Sequence, residues 1–133
     1  MADAVTTQTI QDGERRAVMK FTNISDGTGE SAVTKVDVSA LAKNSRGETC
    51  TEVAIHQIWW QCVGMGVEIL FDATVDTPAI ILSENSNGHH DYSSFTAIPN
   101  NSATGKTGDI KFTTVNAATG DAYTVIMDLI KSY

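Results

Sequence analysis

Cations, cysteine and proline are all scarce in this sequence. Only 9 Lys and Arg stand against 16 Asp and Glu, for a net charge of −7. Binding to nucleic acid or an anionic membrane needs clustered Lys and Arg to neutralise phosphates, so the shortage speaks against both as partners. The 2 cysteines, Cys50 and Cys62, allow a single intrachain bridge. The residues between them read as one strand, which would hold them roughly 40 Å apart against the ~6 Å a disulfide needs. Two free thiols are expected, at least one buried as a small hydrophobe. Long apolar runs are missing too: a stretch such as Ile80-Ile81-Leu82 is far too short to span a bilayer. The opening Met1-Ala2-Asp3-Ala4 places an acid where a secretory leader carries basic residues, so synthesis and folding in a cytoplasm are expected. Without a leader, the sequons at Asn23-Ile24-Ser25 and Asn100-Asn101-Ser102 carry little weight. No Gly-x-Ser-x-Gly elbow and no local cysteine-protease signature occurs. No catalytic residue is assigned and the chain is read as non-enzymatic, although a carboxylate pair for sugar hydrolysis is a spatial matter that a sequence does not display.

What is present is a chain of 133 residues with 41% apolar side chains, enough for one domain with a core that needs neither metal nor disulfide. Turn-rich patches recur about every ten residues, among them Asp12-Gly13, Ser25-Asp26-Gly27, Asn44-Ser45-Arg46-Gly47, Gly64-Met65-Gly66 and Asn85-Ser86-Asn87-Gly88. Between them lie segments rich in Val, Ile, Thr and aromatics, predicted as strands over residues 5–10, 15–24, 31–38, 53–62, 67–73, 79–83, 95–98, 110–115 and 122–131. Period two is plain in several: Val67, Ile69 and Phe71 share a face, as do Tyr123, Val125, Met127 and Leu129. Val38 to Lys43 could form one helical turn with Ser39 as its cap. The fold class expected is all-β: an antiparallel β-sandwich, jelly-roll-like, of eight or nine short strands. Residues 1–13 read as an arm or edge strand and residues 14–133 as a single sandwich domain. Thr107-Gly108-Asp109 echoes Thr119-Gly120-Asp121, which suggests a closing hairpin with its loop at residues 116–121.

Three motifs touch on cofactor or metal chemistry, and none is complete. Gly105-Lys106-Thr107 ends like a phosphate-binding loop, but Asn100 stands where the first Gly belongs and a strand follows where a helix is needed. Residues 83–94 have a faint calcium-loop spacing, with Ser83 first and Ser94 in place of the bidentate Glu. His89-His90-Asp91 gathers ligand types, but neighbouring side chains diverge, and a surface loop is the expectation. No cofactor and no metal is assigned.

Trp59 and Trp60 are adjacent on a predicted strand, so they point to opposite faces. One ring can fill the core; the other packs under a loop, anchors a protein interface, or stacks on a sugar. The uncharged, β-prone stretch Val5-Thr6-Thr7-Gln8-Thr9-Ile10 suits an edge strand or an arm that extends a neighbour's sheet. Arg15 and Arg16, an adjacent basic pair on an acidic chain, suit an acidic protein surface. The candidate interface residues are therefore Val5, Thr7, Thr9, Ile10, Arg15, Arg16, Trp59 and Trp60.

Four segments together carry a resemblance. Residues 55–60, Ile-His-Gln-Ile-Trp-Trp, lead through a Gly-x-Gly turn into residues 67–74, Val-Glu-Ile-Leu-Phe-Asp-Ala-Thr. Residues 107–114 and 123–131 complete the pattern. Over residues 33–133 the chain resembles small β-sandwich virion proteins of tailed bacteriophages, in particular the capsid decoration (cement) proteins. The resemblance implies a non-catalytic protein on the capsid surface that binds the major capsid protein as a symmetric homo-oligomer, a trimer by preference, and stabilises the shell. It carries over no contact residue. Other expectations are a neck, tail or head-fibre component of the virion, or a carbohydrate-binding module with a planar aromatic strip flanked by Asn85, Asn87, His89 and Tyr92.

Overall fold

The computed structural model describes residues 3–95 and 97–133. Its strands are β1 (Ala4–Asp12), β2 (Arg16–Ile24), β3 (Val33–Val36), β4 (Glu52–Val63), β5 (Gly66–Phe71), β6 (Thr77–Leu82), β7 (Asn87–Asp91), β8 (Ile110–Val115) and β9 (Ala122–Ser132), with 3₁₀ turns at Val38–Ala40 and Ser93–Phe95. They form a five-stranded sheet in the order β1-β2-β9-β4-β7 and a four-stranded sheet in the order β3-β8-β5-β6. All pairings are antiparallel. The all-β sandwich predicted from period two is the fold observed. Four of the pairs nest inside one another: β2 with β9, β3 with β8, β4 with β7, and β5 with β6.

The alternation explains the core. Val67, Ile69 and Phe71 of β5 and Val125, Met127 and Leu129 of β9 are fully buried on facing sheets, and Tyr123 nearly so. Phe112 of β8 meets Phe21 of β2 edge-on at 5.2 Å and Tyr123 at 5.8 Å, which locks the two layers together. Cys50 and Cys62 are free and both buried. At one end, the fully buried Lys131 ammonium pairs with Asp12 and donates to the carbonyl oxygens of Gly13 at 2.6 Å and Ala42 at 3.2 Å. This ties the β1–β2 turn to the last strand.

Several expectations need correction. The strand expected over residues 95–98 is not seen among its described residues, position 96 lying outside them; Phe95 ends a 3₁₀ turn. Ile98 makes one isolated bridge to Ile55, and Pro99 has no N–H to continue a ladder. The strand in this region is instead β7, which the turn-rich Asn-Gly-His-His-Asp sequence concealed. The 12-residue β4 presents backbone groups beyond β9 that need partners, and β7 supplies them over Gln57 to Gln61. His89-His90-Asp91 therefore lies on an edge strand, not in a loop. Residues 116–121 do not close a hairpin, because β8 and β9 belong to different sheets. The predicted strand over 31–38 shortens to β3, with Ala32 at φ +49 before it. The turn after β3 is capped by Asp37, whose carboxylate accepts from the Ser39 N–H at 3.0 Å; Ser39 is not the cap.

Candidate docking surface

β1 occupies the border of the five-stranded sheet. It pairs with β2 along nearly its whole length, and all nine of its residues are exposed. Val5 is 42% and Ile10 52% accessible. Thr7 and Thr9 lie opposite the core residues Phe21 and Met19, yet both are exposed, so the four-stranded sheet does not reach under β1. Apart from a register shift between Thr9 and Gln11 and the terminal Asp12, the strand lacks the charges, proline or cover that usually blunt an edge.

The outer face of the same sheet is open. Cross-strand register sets Thr6, Thr22, Thr124 and Gln61 in one row, and Lys20, Ile126, Trp59 and His89 in the next. At one end Ile24, Ala122 and Val63 align, with Ile24 61% and Val63 51% accessible. Charges here nearly cancel. Arg16 reaches the buried Asp128 at 3.1 Å, and Lys20 and Asp91 stand on β2 and β7, with β9 and β4 between them. Arg15, Arg16 and Ile130 line a shallow cleft of about 360 Å³ at the far end.

The two tryptophans separate as adjacent strand residues must. Trp60 packs against the core cluster and donates from Nε1 to Ser86 Oγ at 3.1 Å. A Cβ on Gly88 would stand 3.2 Å from its ring, so the indole lies across bare backbone of β7. Trp59 sits on the open face, stacked on His89 at 4.7 Å with 9° between the planes. His90 stacks on Trp60 at 5.0 Å and leads on to Tyr92 at 5.9 Å. Each face of β7 thus carries a histidine–tryptophan stack, which residue types and local spacing alone did not reveal. An open depression of about 220 Å³ lies between Trp59, Trp60, Gln61, Gly88, Thr124 and Ile126. Gln57 Oε1 lies 3.0 Å from His89 Nε2.

The sequence candidates therefore fall into four places. Val5, Thr7, Thr9 and Ile10 are on the edge strand, Arg15 and Arg16 at its foot, and Trp59 on the open face. Trp60 is turned inward. Asn85, Asn87, His89 and Tyr92 do not form one strip: His89 stacks on Trp59 on the open face, Tyr92 stacks on His90 on the other face of β7, and Asn85 Oδ1 accepts from the Gly64 N–H at 2.7 Å.

Burial pushes the Cys62 thiol up to about 11 and raises that of Cys50 as well, so neither is a ready nucleophile at neutral pH. Among the described residues, no group of three His, Cys, Asp or Glu side chains converges to hold a metal ion, and no helix is long and apolar enough to cross a membrane. Comparison with protein-family models, with curated proteins and with solved structures finds no match.

Proposed function

We propose that this chain is a non-catalytic decoration protein of a tailed-bacteriophage capsid. It binds the major capsid protein through the outer face and β1 edge of the five-stranded sheet, as a homo-oligomer, preferably a trimer, on the virion surface. The observation that carries the reading is a charge-balanced, partly apolar sheet face beside an edge strand that is uncharged up to its terminal Asp12, on a chain of net charge −7. The area suits the role. Five strands spaced ~4.8 Å apart and about nine residues long present roughly 700 Å², close to the ~800 Å² per partner of a standard protein interface. Binding as a cluster lets modest contacts hold by avidity. The nested pairing of β2 to β9 supports the jelly-roll form of the sandwich, since a long hairpin rolled upon itself gives that order. The resemblance over residues 33–133 supplies the virion context.

The carbohydrate-binding alternative is weaker because His89 covers one face of Trp59. A neck, tail or head-fibre position uses the same surface and differs only in partner.

Cosedimentation with undecorated capsids tests the proposal. A Thr7→Lys, Thr9→Lys variant, which charges the edge, and a Trp59→Ala variant should each lose binding at least ~10-fold, about 1.4 kcal/mol. Unchanged binding in both sinks it. Quenching or shifting of tryptophan emission by glycans, without capsid binding, would favour the carbohydrate reading.

A further inference from the structure

A lysine, a glutamate and an asparagine meet inside the sandwich on one carboxylate. Lys35 of β3 and Glu30 form an ion pair through Glu30 Oε2, with their side chains only 3% and 5% exposed. The other oxygen, Oε1, accepts from Asn23 Nδ2 of β2 at 2.8 Å and from the Tyr123 hydroxyl at 2.5 Å. Asn23 Nδ2 also reaches Asp3 Oδ2 at 3.1 Å. Asn23 is fully buried, and its carbonyl oxygen Oδ1 has no hydrogen-bond partner. Tyr123 belongs to the Phe21–Phe112–Tyr123 ring cluster, so the site opens onto the dry core.

The plain reading is a polar network that pins the segment between β2 and β3. A network of that kind normally satisfies every buried member. This one leaves an amide carbonyl bare while an amine and the amide nitrogen are held on the same carboxylate. These are the reactants and the proton carrier of a transamidation, held together away from water.

We propose that Lys35 and Asn23 join through an intramolecular amide bond, with Glu30 carrying the protons. Glu30 Oε2 takes one proton from the Lys35 ammonium. The freed Nζ lone pair attacks Asn23 Cγ, forming a C–N bond and a tetrahedral centre. A second proton passes from Nζ through Glu30 to Nδ2, the Cγ–Nδ2 bond breaks, and ammonia leaves. Glu30 ends neutral, holding the first proton, and its O–H donates a hydrogen bond to Oδ1, the atom left bare before the reaction. No oxidant or other reactant enters, and charge is zero before and after. The bond links the five-stranded sheet to the four-stranded sheet and closes a covalent loop over residues 23–35. It is independent of what the outer face binds.

Intact-mass spectrometry of the purified, denatured full chain tests this. The expected mass is one ammonia below that of the sequence. Trypsin should fail to cut at Lys35 and should release residues 21–43 as one peptide short of one ammonia. Glu30→Gln and Lys35→Arg chains should regain the full mass and be cut at position 35. The unaltered chain decides the matter even if a variant does not fold. The full sequence mass after prolonged incubation of the folded protein overturns the proposal. So does ammonia loss confined to a peptide of residues 21–35 cut normally at Lys35, which is the mark of cyclisation at Asn23 alone.

Discussion

The two outer faces of the sandwich are built differently. On the four-stranded sheet the outward positions carry charge. Lys111 of β8 bridges Asp72 at 2.8 Å and Asp76 at 3.9 Å, and Glu68 of β5 lies opposite Thr113 and Ile81. On the five-stranded sheet the corresponding positions hold threonines, Ile126, Trp59 and Ile24 among charges that offset one another, Arg16 and Lys20 against Asp128 and Asp91. Both sheets satisfy their inner faces in the same way, with alternating apolar residues, so core formation does not explain the contrast. Solvated charge keeps a face from associating, whereas neutral polar and aromatic side chains desolvate at modest cost. On an acidic chain, the face whose charges balance is the one that costs less to desolvate.

Each face can be perturbed separately. The largest effect is expected from Trp60→Ala, which removes packing from beneath β7 and the bond to Ser86. Urea unfolding should show a loss of about 3 kcal/mol. Trp59→Ala, one residue away on the open face, should cost about 1 kcal/mol through its His89 stack and partial burial. Equal losses would mean that Trp59 belongs to the core and that the open face is not a free surface. On the opposite sheet, Lys111→Met should cost less than about 1 kcal/mol, and less still in high salt, because that bridge is partly solvated.

The smallest effect is in acid. The hydrogen bond from Lys111, helped by that from Thr107, holds the Asp72 carboxyl below its ordinary 3.8. Its contribution is therefore fully present above that value and is lost as pH falls through the lowered one. Burial foremost raises Asp109, so protonating that group favours the fold and partly offsets the loss. Asp109→Asn should steepen the decline in stability between about pH 5 and about pH 3, and Lys111→Met should flatten it. Identical profiles for both variants and the parent would remove the electrostatic contrast between the faces.

Much of this was legible in the chain and some was not. The inward sets on β5 and β9 could be read because a buried strand face repeats every second residue. The exposure of Val5 to Ile10 followed from an uncharged sequence too polar for a core. β7 was not legible, because its pairing answers to the unpaired edge of β4 and not to its own composition. The two Thr-Gly-Asp motifs show the same limit. Gly120 at φ +90 has open space around it, while a Cβ on Gly108 would come within 1.9 Å of the Thr51 carbonyl oxygen. One triplet is a free turn and the other a close crossing, with identical letters.

Local alternation of apolar and polar side chains, punctuated by turn residues, determined the all-β class, most of the strands and the inward face of several. Tertiary structure alone decided which sheet each strand joins, on which outer face the charges balance, and that Asn23, Glu30 and Lys35 converge. Those outcomes depend on hydrogen-bond partners far apart in sequence, and a pattern that repeats every two residues says which way a side chain points but not what it will meet.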